Sequence, residues 1–127
     1  MAKIMIVDDE ENVRVAANMV LTSKGHSVTN VEDGVTALEL IKKNLPDVIV
    51  CDIEMPKLKG FDVLKELRKD PATSAIPFIF LTGKTEMTYM TKAMELDVDD
   101  FLTKPFTAEQ LLAAIDVQLK KMEKGSH

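Results

Sequence analysis

Short apolar runs alternate with longer amphipathic segments along this chain, and that alternation restricts the available folds more than any other feature. Lys3 to Val7, Ser27 to Val31, Asp47 to Cys51, Phe78 to Leu81 and Asp100 to Leu102 have strand length. Asn12 to Lys24, Gly34 to Asn44, Leu58 to Lys69, Glu86 to Leu96 and Ala108 to Glu123 have helix length, with apolar residues at helical spacing. Strands that alternate with helices pair in parallel, because each helix carries the chain back across the sheet. Ile4 to Val7 and Val48 to Cys51 are continuous aliphatic runs, the pattern of strands covered on both faces. The expectation is an α/β domain: a parallel sheet of five strands with five helices on its two faces.

Local signals agree with these boundaries. Lys24-Gly25 and Asp33-Gly34 mark turns, Pro46 and Pro77 precede strands, and Thr107 followed by Gln110 forms a capping box for the last helix. At 127 residues the chain suits one core rather than two, and 46% hydrophobic with 29% charged residues is a globular composition. A net charge of -5 offers no basic face for a phosphate backbone or an anionic lipid surface, which argues against nucleic acid and membrane as direct partners. Cys51 is the single cysteine, so there is neither a disulfide framework nor a thiolate zinc site. The opening stretch MAKIMIV meets Asp8-Asp9-Glu10-Glu11 at once, too short a run for a leader or a membrane span, and a cytoplasmic location is expected. Gly125 to His127 reads as the remnant of an expression tag, leaving residues 1–124 as the domain.

Open parallel sheets bind ligands beyond the carboxyl ends of their strands. There the sequence places Asp8 and Asp9 after the first run, Asp52 and Glu54 after the third, Thr82-Gly83 after the fourth and Lys104-Pro105 after the fifth. Carboxylates that converge repel one another unless a cation joins them. Hard oxygen donors with no histidine or thiolate nearby favour Mg²⁺, with Mn²⁺ as the other candidate. The lysine and the hydroxyl then suit the remaining oxygens of a phosphoryl group, and one aspartate is left to act as its nucleophilic acceptor.

The ordered set Asp8, Asp9, Asp52, Met55-Pro56, Gly60, Thr82-Gly83 and Lys104-Pro105-Phe106 resembles the response-regulator receiver domain of two-component signalling, across residues 2 to 122. The resemblance implies a flavodoxin-like strand order, 2-1-3-4-5, and a role for each matching residue. Asp52 would be the phosphoacceptor. Asp9 and Asp52 would hold Mg²⁺ through their carboxylates, Asp8 through a water, and Glu54 through its backbone carbonyl. Thr82, the Gly83 amide and Lys104 would contact the phosphoryl group, with a cis peptide between Lys104 and Pro105. The implied partner is a sensor histidine kinase or a phosphotransfer protein, and the protein would catalyse only its own phosphorylation and dephosphorylation. Output would pass to an unidentified partner or a fused domain.

Several expectations go further. Thr82 and Phe101 would form the switch, with Phe101 largely inward in both states because it lacks a phenolic hydroxyl. Met87, Met90 and Met94 lie on one side of the helix expected over 86–96 and widen its apolar arc. They suggest an adaptable partner face there, shared with the fifth strand and the last helix and suited also to a homodimer. Glu54 and Lys84 would pair across the entrance to the site and slow hydrolysis of the aspartyl phosphate. Asp97, Asp99 and Asp100 read as a solvated turn, and His26 as an ordinary turn residue. Two other functions remain open. One is a pseudo-receiver that binds without being phosphorylated; the other is a magnesium-dependent phosphohydrolase of the haloacid dehalogenase type, which wants an aspartate where Glu54 stands.

Overall fold

The computed structural model describes residues 1–83, 94–95 and 98–125, excepting the side chains of residues 124 and 125. In chain order the elements are β1 (Lys3–Val7), α1 (Glu11–Ser23), β2 (Ser27–Val31), α2 (Gly34–Lys43), β3 (Val48–Asp52), α3 (Gly60–Lys69), β4 (Phe78–Thr82), β5 (Asp100–Thr103) and α4 (Ala108–Gly125). The strands form one parallel sheet in the order β2-β1-β3-β4-β5, the flavodoxin-like arrangement. The order reverses between β1 and β3, so the carboxyl ends of those strands flank a crevice; Asp8 directly follows β1, and β3 ends in Asp52.

Successive residues of the central strands face opposite sides, and each side has its own core. Met5, Val7, Ile49, Cys51, Phe78 and Phe80 pack with Ala37 and Ile41 of α2 and with Phe61 and Leu64 of α3. Ile4, Ile6, Val48, Val50, Ile79 and Leu81 pack with Ala17 and Leu21 of α1 and with Leu111 and Ile115 of α4. Every residue of β3 and β4 is buried, whereas the edge strand β2 buries only Val31. The aliphatic continuity read from the sequence reflects this double covering.

Helix ends follow their caps. Asp33 accepts from the Thr36 amide at 2.8 Å to start α2. The Thr107 hydroxyl accepts from the Gln110 amide at 3.1 Å, and the Gln110 side chain accepts from the Thr107 amide at 2.9 Å. Gly25, with φ of 86°, supplies the left-handed turn that closes α1. The third helix begins at Gly60 rather than Leu58, because the chain first makes a tight turn in which the Leu58 amide donates to the Pro56 carbonyl at 2.8 Å. Lys57, at the apex, has φ of 70°. The helix expected over 86–96 lies outside the described residues except Met94 and Glu95, which are helical and exposed.

Two readings of polar residues need correction. Asp97 is outside the described residues, but Asp99 is not part of a merely solvated turn. Its Oδ2 accepts from the Phe78 amide at 2.7 Å and from Arg68 Nη2 at 3.0 Å, while Arg68 Nη1 donates to the carbonyls of Ile76 and Ser74 at 2.8 and 3.1 Å. The pair ties the end of α3 to the first residue of β4 and the approach to β5. His26 is also engaged: its Nδ1 accepts from the Ala2 amide at 3.2 Å, anchoring the start of β1 to the turn before β2.

Candidate functional site

The β1 to α1 turn is held from several sides. The Asp8 amide donates to Val31 at the end of β2 at 3.0 Å. The Asp8 carbonyl accepts from Arg14 Nη1 at 2.7 Å, and Arg14 Nη2 lies 3.6 Å from Glu32. The Asp8 carboxylate accepts from the Glu10 amide at 2.9 Å, which fixes one oxygen and turns the other toward the crevice. Neither Glu10 nor Arg14 stood out in the sequence reading, although Glu10 belongs to the same acidic run and Arg14 lies about one helical turn beyond it.

β3 brings Asp52 to the same place. Gly60 makes this possible: its amide donates to the Ile53 carbonyl at 2.9 Å, and a Cβ at Gly60 would collide with the Asp52 carbonyl oxygen. Asp8 is fully buried and Asp52 is 5% exposed, so neither carboxylate is fully hydrated. Carboxylate oxygens of Asp8, Asp9, Glu10 and Asp52 can all lie within 4.8 Å of one another.

The cation opposite them is Lys104. Its amide donates to the Thr82 carbonyl at 2.8 Å, continuing the pairing of β4 and β5, and its peptide bond to Pro105 is cis. Lys104 Nζ lies 2.9 Å from Asp8 Oδ2, 3.2 Å from Glu10 Oε1 and 3.3 Å from Asp52 Oδ2. The contact to Glu10 has hydrogen-bond alignment, and the shortest of the three is the ion pair with the buried Asp8 Oδ2. Thr82 is buried at the end of β4, where its hydroxyl donates to the Gly83 carbonyl at 3.2 Å.

Electrostatics match this geometry. Burial, with the neighbouring Asp8 charge, pushes the Asp52 carboxyl up to about 7, despite Lys104 and the Glu54 backbone amide acting the other way. Burial also raises Asp8, opposed chiefly by the Glu10 amide and by Lys104. Burial works against the Lys104 ammonium, but Asp8, Asp52 and Glu10 outweigh it and the group is raised. One lysine therefore does not neutralise the four carboxylates gathered here. This set of hard oxygens fits a small divalent cation.

A profile of the response regulator receiver domain matches residues 4–116. The chain belongs to the response regulator receiver family. The ycf27 protein of Guillardia theta is 38% identical over 124 residues, which are 98% of this chain and 48% of that protein. The response regulator MprA of Mycobacterium sp. strain KMS is 36% identical over 119 residues, 94% of this chain and 51% of that one. The chain thus spans about half the length of these relatives. Among solved structures, a receiver domain protein of Clostridium thermocellum superposes with a TM-score of 0.89 at 30% identity, covering 97% of this chain and 98% of that one. Receiver domains bind Mg²⁺ at an acidic pocket, and this receiver has such a cluster at the carboxyl ends of β1 and β3.

Phe101, on β5, is half-buried; its ring centroid lies 6.2 Å from that of Phe80, and it packs on the core beneath α3. The Glu54 carboxylate lies 4.0 Å from Lys59 Nζ in the turn after β3, and Lys84, its expected partner, is outside the described residues. Met87 and Met90 are likewise outside them, while Met94 is 71% exposed. Cys51 is fully buried and its thiol is raised well above its usual range, first by burial and then by the charges of Asp52 and Asp8. Among the described residues no helix is long and apolar enough to cross a membrane.

Proposed function

We propose that this receiver domain accepts a phosphoryl group on Asp52 from a sensor histidine kinase or a phosphotransfer protein, and in doing so transmits a two-component signal. The supporting observation is the position of Asp52, a nearly buried carboxylate at the switch point of the sheet that faces three further acids and one lysine. Asp9 and Asp52 would hold Mg²⁺, or Mn²⁺, directly, with Asp8 acting through a water and Glu54 through its main-chain carbonyl. When bound, the ion supplies the positive charge that lets Asp52 stay ionised beside an incoming phosphoryl group.

The remaining steps belong to the chain. An Asp52 carboxylate oxygen attacks phosphorus in line, forming the acyl phosphate as the bond to the donor's nitrogen or oxygen breaks with its electron pair. Lys104 pairs with a phosphoryl oxygen, and the Thr82 hydroxyl and Gly83 amide hydrogen-bond to the others. To reach them, the Thr82 hydroxyl must leave the Gly83 carbonyl on which it now rests. That small movement at the end of β4, two residues beyond the Phe80 that pairs with Phe101 on β5, is the coupling we assign to the switch. The face readable by a partner or a second copy would comprise β5, α4 and the segment bearing Met87, Met90 and Met94. Glu54 and Lys84 would govern access of the water that returns the protein to its resting state. This reading places the protein in the cytoplasm and gives it no activity beyond its own phosphorylation cycle.

Incubation with acetyl phosphate and Mg²⁺ followed by intact mass measurement tests it. One added phosphoryl group is expected in the parent, and none in Asp52→Asn or in the presence of a chelator. An unmodified, folded parent would refute the proposal.

A further inference from the structure

In the resting structure the three N–H donors of Lys104 face three carboxylates: Asp8 at 2.9 Å, Glu10 at 3.2 Å and Asp52 at 3.3 Å. A phosphoryl group on Asp52 takes over the Asp52 contact, and its several oxygens draw Lys104 further only as the other two contacts give way. Asp8 is fully buried and fixed by the Glu10 amide, and Asp52 itself carries the phosphoryl group. Glu10 differs from both, because its side chain is 61% exposed and rehydrates readily on release. The ammonium is also aligned toward it as a hydrogen-bond donor.

We infer that Glu10 is a resting-state competitor for Lys104, a positioning residue that holds the ammonium at the rim and opposes its full engagement with the phosphoryl group. This rests on the proposed phosphorylation of Asp52 and adds a regulatory device to that site. Competition of this kind weakens the phosphorylated state by the strength of one exposed ion pair, at most about fivefold, and salt diminishes it. The sequence position serves the purpose: Glu10 directly precedes α1, so its backbone is fixed by the helix start while its side chain reaches across to the end of β5.

The test uses beryllofluoride, a phosphoryl mimic, titrated at saturating Mg²⁺ into the parent, Glu10→Gln and Glu10→Asp. Gln retains the shape and removes the charge; Asp retains the charge but is shorter by one methylene, which withdraws it from Lys104. Both variants are expected to bind the mimic more tightly, by up to about fivefold at low ionic strength, with the gain shrinking toward parity near 1 M salt. Tightening in Glu10→Gln alone would mean a general field effect and overturn the inference, as would no tightening in either. A folded parent that neither binds the mimic nor takes phosphate from acetyl phosphate would overturn the function proposed above together with it.

Discussion

Replacing Asp52 with asparagine should make the metal-free protein more stable near neutral pH, even though it removes the group on which function is proposed to depend. Folding raises the Asp52 carboxyl from 3.8 to about 7. The folded state therefore binds this proton more readily than the unfolded chain does, and the ionised form is the one that folding disfavours. Below about pH 4 the group is protonated in both states and contributes nothing. Between about pH 4 and 7 the unfolded chain releases its proton first, and stability falls as pH rises. Above that window the full penalty applies: roughly 3 pK units at about 1.4 kcal/mol each, or about 4 kcal/mol. The attraction of Lys104 is already included in this net shift, so losing the ion pair does not add to it. Asparagine, close in shape to the neutral acid, should escape the penalty. In chelator at pH 8 the variant should exceed the parent by up to about 4 kcal/mol, on the order of 10 °C in melting temperature, and the two should converge by pH 4. The chain has no tryptophan, so denaturant titration followed by far-UV circular dichroism is the suitable assay. Saturating Mg²⁺ should narrow the gap from the other side, since ligand at a hundred times its dissociation constant stabilises the parent by about 2.7 kcal/mol. A variant no more stable than the parent at pH 8 in chelator would refute the reasoning, because Lys104 would then balance the acids.

Other positions offer sharper structural tests. Gly60→Ala places a methyl group against the Asp52 carbonyl oxygen and 3.0 Å from both the Ile53 Cα and the Phe80 ring; it should lose about 1–3 kcal/mol in urea titration and displace the acceptor residue. Lys57→Gly relieves a left-handed residue at the apex of the turn after β3 and should gain about 1 kcal/mol in the same assay. Asp99→Ala removes the acceptor of the Phe78 amide and the carboxylate facing Arg68 Nη2, and a loss of roughly 2 kcal/mol with Mg²⁺ affinity unchanged is expected, because the pair sits at the opposite end of the strands from the acids.

The sheet covered on both faces was legible because such burial demands unbroken aliphatic strands, and β1, β3 and β4 supply them, whereas the one core expected from chain length is divided by the sheet into two. Strand order was not readable from periodicity; it came with the motif resemblance, and the structure has it. Boundaries were set by local backbone geometry that hydrophobic pattern does not encode. Leu58 continues the apolar register of α3, yet the turn at Lys57 excludes it from the helix. Residues brought together from distant segments were hardest to read. Asp99 looked like one acid in an acidic turn because its partner, Arg68, is 31 positions away. Glu10 was visible as part of Asp8-Asp9-Glu10-Glu11, but a run of acids before a helix is already accounted for by the helix dipole. Only the fold places Lys104, 94 positions later, against it.

Reduction of the phosphorylated protein with borohydride, followed by peptide mass mapping, tests the central claim most directly. Borohydride converts an aspartyl phosphate to homoserine and leaves free carboxylates unchanged. The account predicts homoserine at position 52 alone, formed only when the phosphodonor and Mg²⁺ were both present. Homoserine at position 8 or 9 with Asp52 intact would contradict it.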